Sequence, residues 1–121
     1  MTFKNKSENN IQERKSLKPL ILTLPNDGSS YFKILNDSMS YTMRSGLVTL
    51  QSGQDVGSHN TENKEELLII LSGTGEVEAE GLGKQRIDNG CAVYIPPQTQ
   101  HNIFNAGSEP LKYIYVFSTA R

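Results

Sequence analysis

Apolar residues in this chain come in short bursts separated by turn-forming residues. From Leu20 onward the runs are LILTL (20–24), YFKIL (31–35), YTMR (41–44), GLVTLQ (46–51), ELLIIL (66–71), GEVEAE (75–80), KQRI (84–87), CAVYI (91–95), NIFN (102–105) and LKYIYVF (111–117), and Gly, Asn, Asp, Ser or Pro stands between most of them. Segments of this length, punctuated in this way, read as β-strands. No stretch carries a 3.6-residue apolar stripe over three turns, so helices are not expected. Many short strands without helices predict an all-β fold, an antiparallel sandwich or small barrel, in a single domain.

Individual runs refine this picture. GEVEAE alternates cleanly, so Val77 and Ala79 are expected in the core, and Glu76, Glu78 and Glu80 form a solvated face with no metal role. LLIIL (67–71) does not alternate, and neither does LKYIYVF, with Tyr113, Tyr115 and Phe117 on one side and Ile114 and Val116 on the other. A strand with one face in a barrel and the other in water should alternate, so something must cover the outer faces. The segment ahead of Ser30 or a second copy of the chain could do so, and a homodimer is expected. The opening sixteen residues are polar, with too few apolar side chains to offset the entropy of ordering. A flexible tail over 1–18, with a short helical turn near Ile11, is expected ahead of the barrel domain at 19–121.

Composition limits the function. At 121 residues the chain is long enough for one modest core. Its formal net charge is −1 with both signs interspersed, which gives no field to attract nucleic acid or an anionic membrane. Spanning a bilayer takes ~18 consecutive apolar residues, and no run approaches that. One cysteine, Cys91, excludes an intrachain disulfide, and a cytoplasmic setting is expected. Cys91 follows Gly90 at the start of a strand and is given no ligand or nucleophilic role. No glycine-rich loop leads into a helix to cradle phosphate, and no serine has a triad setting.

What remains is the placement of the two histidines. The first lies in the series Gly53, His59, Thr61, Glu66, Gly73, and the second in Gly90, Pro96, Pro97, Gln98, His101, Asn105. A lone histidine is more often a hydrogen-bonded loop or core residue than a ligand. Both imidazoles set among spaced Gly, Pro, Asn and carboxylate residues point instead to a metal or small-molecule site.

These two series resemble the paired motifs of the cupin superfamily. The first family motif, Gly-x5-His-x-His-x(3,4)-Glu-x6-Gly, is met at Gly53, His59, Glu66 and Gly73, with Thr61 where the family has its second histidine. The second, Gly-x5-Pro-x-Gly-x2-His-x3-Asn, is met at Gly90, Pro96, His101 and Asn105, with Gln98 in place of a glycine. The resemblance runs from about Gly46 to Phe117. It implies a jelly-roll β-barrel holding a mononuclear divalent metal on His59, Glu66 and His101. Six residues separate Glu66 from Gly73, which selects Glu66 over Glu65 and turns Glu65 outward. Two imidazoles and one carboxylate suit Fe, Zn, Mn, Ni or Co. Dioxygenase, isomerase or decarboxylase chemistry on a small organic molecule would all fit such a centre. The alternative is a non-catalytic module for a sugar-like ligand in which Thr61 marks a degenerate metal site. Thr61, Gln54, Asn60 and Gln98 are expected near the mouth, and Tyr113, Tyr115 and Phe104, with Met43 and Ile95, are candidates for the pocket wall or the core. Asn105 is expected to fix backbone between strands.

Overall fold

The computed structural model describes residues 17–120. The expected tail over 1–18 and its turn near Ile11 fall almost wholly outside that range. The described residues contain no helix and nine strands: β1 (Tyr31–Leu35), β2 (Arg44–Leu50), β3 (His59–Asn60), β4 (Lys64–Ser72), β5 (Thr74–Ala79), β6 (Gly83–Asp88), β7 (Ala92–Ile95), β8 (Gln100–Phe104) and β9 (Leu111–Thr119). They form a five-stranded sheet in the order β1-β2-β9-β4-β7 and a four-stranded sheet in the order β3-β8-β5-β6. Every pairing is antiparallel.

Alternation decides which side chains meet between the sheets. Leu68 and Ile70 of β4, Val77 and Ala79 of β5, Val93 and Ile95 of β7, Ile103 of β8, and Leu111 and Tyr113 of β9 pack into one core. Each fully buried Leu or Ile contributes roughly 1.5–3 kcal/mol. The β4–β5 turn passes so close to β9 that a Cβ at Gly73 would lie 2.3 Å from the carbonyl oxygen of Pro110, and Gly73 also has φ +91°. Only glycine satisfies both conditions. Beside it, the buried amide of Asn105 donates to the carbonyls of Leu50 and Glu109 and accepts from the Gly107 amide, fixing the loop between β8 and β9.

Two strand expectations are corrected. LILTL (20–24) is not a strand, and Leu20, Ile21 and Leu22 are exposed, because the run has no neighbour with which to form a ladder. YTMR (41–44) lies mostly outside any strand, with a bend at Tyr41 and Thr42, and β2 begins only at Arg44. The two residues of β3, in contrast, form a strand that the sequence suggests only as a turn-to-loop passage.

The outer face of the larger sheet is unevenly covered. On the β2 side Ser45, Leu47 and Thr49 are buried, and Asn26 accepts a hydrogen bond from Lys112 of β9, which brings the segment ahead of Ser30 to that side. On the β4–β7 side Leu67, Ile69 and Leu71 stay 38–41% exposed beside Tyr94.

Replacing Asn105 by Ala leaves three backbone groups without their partner, that of Leu50 among them buried. Its urea midpoint should fall by the equivalent of about 1–3 kcal/mol, whereas Glu78→Gln on the solvated face should stay within about 0.5 kcal/mol. Equal midpoints for Asn105→Ala and wild type would refute the bracing role.

Candidate metal centre

His59 and His101 face each other across β3 and β8, as directly opposed residues of the antiparallel ladder. Their ring centroids are 4.1 Å apart at a tilt of 57°. Glu66 arrives from β4 in the other sheet, so the site bridges the two layers. Its Oε1 lies 3.1 Å from His101 Nε2, and these side chains are 12% and 1% exposed. One ligand atom from each of His59, Glu66 and His101 lies within 4.8 Å of the others. Glu65, one residue earlier, turns outward and accepts a hydrogen bond from the Tyr94 hydroxyl. That contact raises the phenol above its ordinary pKa.

Main-chain carbonyls orient both imidazoles. His59 Nδ1 lies 2.9 Å from the Gly57 carbonyl, and His101 Nδ1 lies 3.1 Å from that of Thr99. A carbonyl only accepts, so each Nδ1 carries the proton; Nε2 is left as the ligating nitrogen of each ring, and that of His101 faces Glu66. Such outer hydrogen bonds characterise metal-ligating histidines. Two Nε2 atoms and a carboxylate, all of which bind ions at ~2.0–2.2 Å, therefore fit a divalent transition metal.

In the metal-free protein the same geometry holds a proton. Burial works against the His101 imidazolium, but the hydrogen bonds to Glu66 and to the Thr99 carbonyl, with the charge of Glu66, outweigh it and raise the pKa above the ordinary value. A metal must displace that proton.

Thr61 does not occupy a ligand position. It is buried, and its hydroxyl donates to the Pro96 carbonyl at 2.6 Å and accepts the Thr99 amide at 3.0 Å. Two backbone contacts reinforce this junction, Thr61 N–H to Thr99 C=O and Gln98 N–H to Glu62 C=O. Gln98 has φ +57°, the left-handed conformation that explains a glycine at this position in the family motif, and Glu62 has the same value. The corner carrying the first motif is thus sewn to the corner carrying the second.

The centre opens into a cavity of about 390 Å³ between the sheets. Tyr113 and Tyr115 line it; burial, followed by the charge of Glu66 for Tyr113 and the Tyr31 contact for Tyr115, raises both phenols well above their usual pKa. Two wall candidates are corrected: Phe104 turns away, its ring under the Lys84 ammonium at 5.5 Å, and Met43 is exposed. Ile95 takes the core alternative. Gln54 braces its own loop by accepting from the Gln51 amide, and Asn60 is exposed beside the centre, accepting from the Glu62 amide. Tyr31 and Phe117 also line the cavity and were not singled out from sequence, although Phe117 shares its strand face with both tyrosines. A separate concavity of about 310 Å³ follows the exposed Glu78 and Glu80 and holds no comparable donor set.

Residues 46–117 match the family model described as the cupin domain. The chain belongs to the cupin family. This cupin is 30% identical over 104 residues to an uncharacterized protein of Methanocaldococcus jannaschii, an alignment covering 84% of this chain and 80% of that one. An RmlC-like cupin with a double-stranded β-helix fold from the same organism superimposes with a TM-score of 0.71 at 20% identity, over 84% of this chain and 91% of its own. A predicted oxalate decarboxylase of Thermotoga maritima gives a TM-score of 0.69 at 25% identity, over 74% and 78% of the two chains.

In metal-free protein the His101 ring should titrate above the ordinary imidazole value of about 6.5. A raised folded-state pKa contributes stability that is complete below the unfolded value and is lost as pH rises through the folded one. The Cε1 proton followed by NMR checks this, and Glu66→Gln should lower the midpoint. A wild-type midpoint below 6.5 would contradict the ion pair.

Proposed function

We propose that this cupin holds one divalent transition metal on His59, Glu66 and His101 and acts on a small organic molecule in the adjoining cavity. The observation that carries this reading is the convergence of three donors from both sheets, with both Nδ1 atoms anchored on main-chain carbonyls so that the Nε2 atoms are left to ligate. The engagement of Thr61 with backbone supports a three-donor centre with positions left for water or substrate. Bound there, the metal would supply Lewis-acid or oxygen-activating chemistry. The protein's part is to orient the donors, bury His101 and exclude bulk water from the wall formed by Leu68, Ile103 and Tyr113. The likeness to a predicted oxalate decarboxylase is compatible with decarboxylation, and the donor set serves dioxygenase or isomerase chemistry equally.

Elemental analysis of protein purified without added metal or an affinity tag tests the proposal. Wild type should carry close to one equivalent; His59→Ala, Glu66→Gln and His101→Ala should each lose most of it, since two remaining donors make a poor chelate. Glu65→Gln should retain it. Equal metal content in wild type and His101→Ala would reject the centre and leave the sugar-like binding module as the better reading.

The open β4–β7 face supports pairing with a second copy through Leu67, Ile69, Leu71 and Tyr94. Sedimentation equilibrium at micromolar concentration should give a dimer, and Ile69→Lys should shift it toward monomer. A monomeric wild type would reject the pairing.

A further inference from the structure

Three rings of the larger sheet form one wall of the cavity, beginning at Phe117, which pairs with Glu66 in the β4–β9 ladder. Tyr31 and Tyr115 lie near-parallel, with centroids 6.3 Å apart and planes 13° apart, and Tyr115 and Phe117 continue the series at 5.8 Å and 9°. The wall depends on Gly46, which pairs with Tyr115 in the β2–β9 ladder. A Cβ at position 46 would stand 2.6 Å from the Tyr115 ring and 2.8 Å from the Tyr31 ring. A glycine inside a strand marks a close approach, and here it is the bed on which both phenols lie flat against the sheet, leaving the space between them and the metal donors open.

The Tyr31 and Tyr115 hydroxyls are 2.5 Å apart. In a pair of phenols one O–H is spent on the partner and the other remains free to donate. Tyr115 stays in the neutral O–H form, since burial and the contact with Tyr31 raise its pKa. Among the described residues, no lysine or arginine lines the cavity. The ammonium groups of Lys33 and Lys64 sit at the two ends of the ring series, over Tyr31 at 5.9 Å and over Phe117 at 5.7 Å. Apart from the metal donors and the hydroxyl pair, Ser30 and the Tyr113 phenol are the polar side chains among the described residues of the lining. A polyol would leave most of its hydroxyls without partners, at a cost for each.

We infer that the Tyr31–Tyr115 pair and the ring wall form a binding subsite for a planar, aromatic or heteroaromatic molecule bearing an uncharged oxygen acceptor. The ring lies against Tyr115 and Phe117, the acceptor takes the free phenolic proton at the mouth, and the opposite edge faces His59, Glu66 and His101. The inference rests on the proposal that this cavity is the small-molecule site, and it deepens that proposal by naming the ligand class. At about 390 Å³ the cavity lies at the small end of ligand sites, suited to a single-ring molecule.

The test compares acetophenone with cyclohexyl methyl ketone, which carries the same carbonyl on a saturated ring, and with methyl glucoside. Affinities are read from amide shifts in ¹⁵N-labelled protein, both metal-free and loaded with zinc. Acetophenone should bind both forms and perturb the amides of β2 and β9, with both other probes several-fold weaker. The conservative double variant Tyr31→Phe/Tyr115→Phe keeps the rings and should weaken acetophenone by about 3- to 10-fold, the loss expected for one hydrogen bond. Equal affinity for the two ketones, tighter binding of the glucoside, no binding of acetophenone at millimolar concentration, or an unchanged double variant would each overturn the subsite. Because metal-free protein is measured alongside, a missing metal would sink the metal proposal while leaving the ring preference intact. Stoichiometric metal without that preference would do the reverse.

Discussion

The donors of this centre come from two corners of the chain that meet only because backbone groups of one are satisfied by the other. The Thr61 hydroxyl sits in the seam, donating to Pro96 and accepting from Thr99, with the Thr61–Thr99 and Gln98–Glu62 contacts on either side. Buried main-chain groups require partners, and here that requirement, together with the β3–β8 ladder, brings His59 opposite His101 and leaves Glu66 facing both. The donor geometry follows from this seam. A hydroxyl meets the requirement because it donates and accepts at once from a small volume.

Sequence periodicity made much of the framework legible. Val77 and Ala79 point inward because GEVEAE alternates, and the bare outer face of LLIIL follows from its failure to alternate. The metal donors were legible through spacing, since six residues from Glu66 to Gly73 decide between adjacent glutamates. Thr61 was not legible: by position it looks like an absent ligand, and only three-dimensional contact shows that its oxygen belongs to the backbone seam. Tyr31 was hidden for a related reason. It lies far in sequence from both motifs, and its signal is a glycine on the neighbouring strand that gains meaning only once the ladder is known. LILTL misled because strand propensity does not create a pairing partner.

The cavity is polarised along its length. At one end, two imidazoles and a carboxylate leave room for an ion, which competes with the proton that the contact with Glu66 favours on His101. At the other, neutral phenols lie against a glycine. Between them Leu68 and Ile103 make an apolar stretch of the lining, and this raises the strength of each polar contact at either end.

Strand β9 carries a further consequence. It lies at the middle of the larger sheet, between β2 and β4, yet in sequence it comes last of the nine strands among the described residues. Residues 44–50 must pair with 111–117, and residues 64–72 with 112–119. Contacts of such sequence separation are entropically late. During synthesis, β2 and β4 therefore present unpaired edges until residue 119 has left the ribosome. The hairpin of β5 and β6 can form alone well before then, whereas the tyrosine wall and the barrel it closes appear together, in the final step of assembly.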